Sequence, residues 1–194
     1  MEETIVQDFK NVDGSWSKGF SENNILYRTV GYRIWKGIKA RCNKPWKTKF
    51  KTYIEAENKF ESFNRFMDWV TTQSGYNKGW HLDKDLLLKG NKAYSETTCV
   101  FLPQQINKFL SVKPKLKSIL PNGVREFKGK FNARCCNADS VRIFLGVFTT
   151  PEEAFGAYKG FKESVAKALA LKWKDELDAR AYNALINYEV SEEN

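Results

Sequence analysis

No run of about 18 apolar residues occurs in this sequence, which excludes a membrane-spanning helix. The opening residues, "MEETIVQDFK", are acidic and lack the apolar core of a secretory leader. Cysteine is scarce and poorly spaced. Cys42, Cys99, Cys135 and Cys136 form no C-x-x-C pair, and adjacent Cys135 and Cys136 do not easily bridge each other. That spacing argues against a structural zinc site. Reduced thiols in a cytosolic, hence cytoplasmic, protein are the plain reading. Histidine occurs once, at His81, and no internal repeat is visible. Acid is missing from one long stretch: Arg28 to Lys51 holds nine basic residues and no Asp or Glu.

What is present supports a folded chain. With 194 residues, 42% of them hydrophobic, there is enough for one large domain or two small ones. Fourteen Phe, eight Tyr and six Trp imply compact aromatic cores or stacking surfaces. The net charge of +9 is unevenly spread. Residues 1–112 carry 18 basic and 12 acidic groups, residues 113–150 carry 8 and 2, and residues 151–194 carry 6 and 9. Clustered cations of this kind point to a polyanion, above all nucleic acid.

Periodicity then divides the chain. Residues 1–26 read as an N-terminal arm, with turn signals at "DGS" and "SENN". A helix follows, with Ile34, Trp35, Ile38 and Cys42 on one side and Arg33, Lys36, Lys39 and Arg41 largely elsewhere on the wheel. It ends at "CNKPW", because the residue before Pro45 is driven out of helix. A second helix is expected near residues 57–72, with Phe60, Phe63, Met67 and Val70 as its core stripe, before "QSGYNKG" breaks the chain. "WHLDKDLLL" reads as a strand, "KGNKAYSETT" as a loop, "CVFL" as a second strand and "PQQINKFL" as a helix with Pro103 in its first turn. Residues 111–118 form a polar, basic linker. Three short strands follow, punctuated by "PNGVR", "FKGKF" and "CNADS". A helix then opens with Thr150, Pro151 and Glu153 as a capping box. Ala154, Phe155, Ala157, Tyr158 and Phe161 give it an apolar face for that sheet, and residues 176–188 form a last helix. The fold class is α+β, with domains at 27–110 and 119–190.

The stretch "LDKDLLLKGNKAYSETTCVFLPQQIN", with "YRIWKGIKARC" and "FESFNRFMDWV" before it, resembles the ββα-metal His-Asn-His (HNH) endonucleases, especially phage homing endonucleases. The resemblance covers roughly residues 27–110 and implies a hairpin and helix holding Mg²⁺ or Mn²⁺ for phosphodiester hydrolysis. It places Asp83 and Asn107 at the metal-ligand positions. It also puts Lys84 where the general-base His is expected and Thr98 where the middle Asn is expected. A charged lysine is a poor base at neutral pH. His81 lies two residues before Asp83 and so on the same face of a strand, about 6.6 Å away at a rise of 3.3 Å per residue. It is the candidate substitute base, with metal-bound hydroxide as the alternative.

"GVREFKGKFNARCCNADSVRIFLGVFTTPEEAFGAYKGF" is similar to the three-stranded DNA-binding domain of plant ethylene-response factors, which also occurs in phage homing endonucleases. The resemblance implies that the sheet enters the major groove of double-stranded DNA. Carried over by position, Arg125, Lys130, Arg134 and Arg142 make its contacts. Two readings follow: an HNH-like homing endonuclease acting in the cytoplasm of a phage host, or a catalytically silent descendant that binds DNA as a regulator or interaction module. In the second, Lys84 contacts a phosphate. RNA or protein binding is a weaker third reading, and protein partners are not indicated.

Overall fold

Two consecutive asparagines, Asn23 and Asn24, hold positive φ angles of 48° and 62°. Such a two-residue turn matches the twist of paired strands. It joins β2 (Gly19–Glu22) to β3 (Ile25–Thr29) as an antiparallel pair. In the computed structural model, which describes residues 3–49, 53–111 and 119–191, β1 (Glu3–Val6) lies parallel to the other edge of β3. The sheet order is β1-β3-β2. The N-terminal segment is therefore a sheet and not the loose arm expected over 1–26. β1 is largely exposed, its two polar residues precede its two apolar ones, and its partner lies far along the chain, so no local alternation marks it as a strand.

The chain forms two compact units, Met1–Phe101 and Leu102–Asn194. In the first, α1 (Val30–Cys42) carries Thr29 as its N-cap and buries Gly31, Trp35 and Ile38. After Asn43 the chain turns into the short α2 (Lys44–Lys49). The helix expected over 57–72 is shorter. Residues Glu57–Asn58 form a two-residue strand, β4, and Ser62 caps α3 (Phe63–Val70). Phe60 precedes that helix but still enters the core, where it packs with Trp35, Phe63, Phe66 and Trp69. Phe66, which the predicted stripe omits, is fully buried. The strand expected over "WHLDKDLLL" ends early: β5 covers His81–Asp83 only. β6 (Ala93–Tyr94) pairs in parallel with β4, and β7 (Val100–Leu102) pairs with β5.

Asp8 ties this unit together. Its Oδ1 accepts from the Gly31 N–H at 2.8 Å, and its Oδ2 accepts from the Tyr76 hydroxyl. Burial and the Asp8 carboxylate both push the Tyr76 hydroxyl far above its ordinary pKa, so it stays a donor. Trp16 adds two further ties, from its N–H to Asn64 Oδ1 at 3.0 Å and from its indole to Asp68 Oδ1 at 2.9 Å.

The second unit holds α4 (Gln104–Leu110), with Pro103 as its N-cap rather than inside its first turn. Of the expected linker, residues 112–118 lie outside the described residues. Strands β8 (Val124–Phe127), β9 (Lys130–Cys136) and β10 (Arg142–Phe148) form an antiparallel sheet in the order β10-β9-β8. Lys128 and Gly129, at φ 53° and 71°, make the β8–β9 turn. Thr150 and Glu153 form the expected capping box, with Pro151 opening α5 (Pro151–Lys172). That helix packs on the sheet through Ala154, Phe155 and Tyr158 against Val124, Ala133 and Cys135. The last helix, α6 (Ala179–Ile186), is shorter than the expected 176–188 and packs on α5.

Gly31 sits where α1 meets α3. A Cβ there would fall 2.1 Å from Met67 Sδ and 2.9 Å from the Tyr76 hydroxyl. Gly31→Ala should therefore destabilise the protein by about 1–3 kcal/mol through overpacking. The check is a lower urea midpoint with an unchanged slope.

Candidate functional site

β5 sets the chemistry of the first candidate region. His81 is exposed and Asp83 is half-buried, on the same side of the strand by its two-residue period. Asp83 Oδ1 accepts from the N–H groups of Asp85 at 2.9 Å and Leu86 at 2.8 Å. These bonds turn the chain and end the strand, as Asp does in turns. Burial pushes the Asp83 carboxyl above its ordinary pKa, and the two N–H donors only partly offset that.

Lys84 is only 4% exposed. Its ammonium donates to Asp85 Oδ1 and to the Asn91 carbonyl at 3.3 Å, and it lies 5.7 Å from the centre of the Tyr94 ring. The reading of Lys84 as a phosphate contact is thus corrected, because a side chain spent inside its own loop does not reach a backbone phosphate. Nor does it stand in a base's place beside Asp83. The strand ends at Asp83, and the Lys84 side chain is buried in the turn that follows.

Asn91, which the motif order does not single out, fixes the same loop. Its amide donates to the carbonyls of Lys84 at 2.6 Å and Ala93 at 2.8 Å and accepts from the Ala93 N–H at 3.0 Å. The available signal was Asn beside Gly90 in "KGNKA", since Asn side chains hold turns through their own backbone. Thr98 has a related role: its hydroxyl donates to the Ala93 carbonyl at 2.8 Å and bonds Ser95 Oγ at 2.8 Å. Asn107 lies on α4, half-buried, in the second compact unit, whereas Asp83 is in the first. Among the described residues no group of three or more His, Cys, Asp or Glu side chains is placed to hold a metal ion.

On α1, Arg33, Lys36 and Lys39 are exposed and follow one another at three-residue spacing, while Arg41 is half-buried. Arg33 and Lys36 lie away from buried Trp35 and Ile38 on the helix wheel, and Lys39 follows Trp35 by one turn while keeping its side chain exposed. Part of the basic run beyond α1 falls outside the described residues.

The sheet of the second unit gives the strongest arrangement. Val124 pairs with Ala133 on the α5 side. The alternate pair, Arg125 with Asn132, therefore faces away from the helix. Arg134 pairs with Phe144 and Arg142 with Cys136 on that same open face, and Lys130 joins them by the two-residue period. A bulge between Phe144 and Gly146 resets the alternation. It sends Phe148 to the core and Val147 to the open face. Phe127, Phe144 and Val147 are 54%, 55% and 50% exposed. The Arg134 guanidinium lies 5.7 Å from the Phe144 ring centre. All four predicted cations are thus exposed on one face, interleaved with aromatic rings. Asn132 at its centre, which no sequence motif marks, is buried and its Oδ1 has no partner among the described residues.

Two measurements check the β5 loop. Lys84→Met should cost about 1–3 kcal/mol, because the Asn91 carbonyl loses its donor. Asp83→Asn should stabilise the protein at neutral pH and do little near pH 3. The folded Asp83 pKa is raised, so the wild type is relatively favoured below the unfolded value of about 3.9 and loses stability as pH rises through the folded value. Equal effects of Asp83→Asn at both pH values would refute the burial argument.

No family model matches the chain, and neither does any curated protein or solved structure.

Proposed function

We propose that this protein binds double-stranded DNA through the open face of the β8–β9–β10 sheet. One observation carries the reading. Arg125, Lys130, Arg134 and Arg142 share that face with exposed Phe127 and Phe144, and no carboxylate intervenes on it. A twisted three-stranded sheet is narrow enough to approach a major groove. Arginine's planar fork matches guanine O6 and N7, and the exposed rings supply apolar contact. The α1 stripe of Arg33, Lys36 and Lys39 adds sequence-independent attraction to phosphates.

Within the HNH-like reading, the burial of Lys84 favours the catalytically silent form, since the position beside Asp83 offers no proton acceptor to the strand face. The protein then acts as a nuclease-derived regulator or interaction module, and phage origin belongs to this proposal. A second reading, metal-dependent nicking, has one observation in its favour: His81 and Asp83 share a face of β5. One Asp83 oxygen is engaged by backbone N–H groups. The other oxygen would take Mg²⁺ or Mn²⁺, which would polarise a phosphoryl oxygen and activate water. His81 would accept the water's proton.

The DNA reading is tested on duplexes selected from a random pool. Arg134→Ala or Arg142→Ala should weaken binding by about 1–3 kcal/mol on selected duplexes if the side chain reads a base. Equal losses on every duplex would mark phosphate contacts, and no loss at any of Arg125, Arg134 and Arg142 would reject the face. Neutralising Lys36 and Lys39 should flatten the log–log salt slope by about 0.9 for each phosphate no longer neutralised. For the nicking reading, supercoiled plasmid with Mg²⁺ or Mn²⁺ is the substrate. Cleavage abolished by Asp83→Ala and reduced by His81→Ala supports it; no cleavage leaves DNA binding alone.

A further inference from the structure

β8 stops short of the sheet's end. The Gly123 carbonyl accepts from the Arg134 N–H at 2.9 Å, and beyond that point β9 has no β8 residue beside it. A concavity of about 500 Å³ opens there, between this edge, residues 122–124, the end of α4 and α5. Five cations line it, Lys108, Arg125, Arg134, Arg142 and Lys162, and its lining contains no carboxylate. None of the five forms an ion pair among the described residues.

Lys162 is the unusual member. It is a lysine in the buried face of α5, only 6% exposed. Its ammonium donates to the Phe109 carbonyl and lies 3.8 Å from the centre of the Phe109 ring. An ammonium has three donors, and this is its one hydrogen bond among the described residues. Burial pushes its pKa below the ordinary lysine range, which is the cost of a charge held away from water without an anion.

We propose that this concavity binds a phosphate monoester, with Lys108 and buried Lys162 as its ligands and the guanidinium groups that also line it adding electrostatic attraction. A monoester carries close to two negative charges at neutral pH, where a backbone diester carries one. The concentration of unpaired cations therefore favours the monoester. Lysine supplies a point charge to phosphate oxygens, and the guanidinium groups on the lining attract the same anion. The group would come either from a 5′-phosphorylated DNA end or from a free nucleotide. The site goes beyond duplex binding: it uses Lys162 and Lys108, which are not on the open face of the sheet.

The test uses the full chain. Titration calorimetry with inorganic phosphate should show saturable binding, weakened about tenfold by Lys162→Met through loss of one charged hydrogen bond. If circular dichroism shows that Lys162→Met does not fold, Lys108→Gln takes its place, with a several-fold loss expected. Tighter binding of 5′-phosphorylated than of 5′-hydroxyl duplex would support the site and assign it to DNA ends. Competition by a mononucleotide without that preference would support it and assign it to free nucleotides. No saturable binding of phosphate by the wild type overturns the proposal, as does binding unchanged in the folded variant. The 5′-hydroxyl duplex reads the sheet face separately. Its loss with phosphate binding intact would refute the duplex reading alone, and the converse would refute this site alone.

Discussion

The packing of α5 on one side of the β8–β9–β10 sheet determines what the other side can present. Ala154, Phe155 and Tyr158 meet Val124, Ala133 and Cys135. Because strand side chains alternate, committing those three sheet residues to the core commits Arg125 and Arg134 to solvent. The bulge before Gly146 extends this outcome to β10, turning Phe148 inward and Val147 outward. Gly146 has φ 134°, a conformation that glycine adopts without strain. A slip of one residue in β9 would bury Arg134 and expose Cys135, so the apolar contact with α5 also enforces the placement of charge.

The first unit is organised differently. Aromatic packing fills its core, but much of its shape depends on polar groups held at both ends. Asp8 joins the N-terminal segment to the start of α1 and to Tyr76. In the loop after β5, Asp83, Lys84, Asn91 and Thr98 bond to that loop's own backbone or to one another's neighbours. A buried polar network of this type is stabilising only when its members are satisfied. Side chains that resemble catalytic machinery in order along the chain are here engaged in holding the loop.

Local signals in the sequence led to many of the elements. The Thr150–Glu153 box with Pro151 marks the start of α5. The wheel of Trp35 and Ile38 marks the inner side of α1, and "FKGK" marks a two-residue turn. The arginine face follows from strand period once the turns are placed. What escaped depends on contacts distant in sequence. β1 needs β3, and the two residues of β4 need β6, so neither has a pattern of its own. Lys84 and Lys162 escaped for a related reason: lysine is ordinarily exposed. Only the three-dimensional placement of the Asn91 and Phe109 carbonyls accounts for their burial. Asn132 was missed because its neighbours on β8 and β10 give it importance, not its neighbours in the chain.

The adjacent cysteines on β9 have a practical consequence. Cys135 points into the core, where burial raises its thiol pKa, whereas Cys136 is exposed beside Arg142 on the open face. Cys99 is buried with its thiol pushed up to about 12, and Cys42 is half-buried. Thiolate supply and access both govern alkylation. A maleimide fluorophore applied at neutral pH would therefore select Cys136, placing an optical reporter inside the basic face of the wild-type chain.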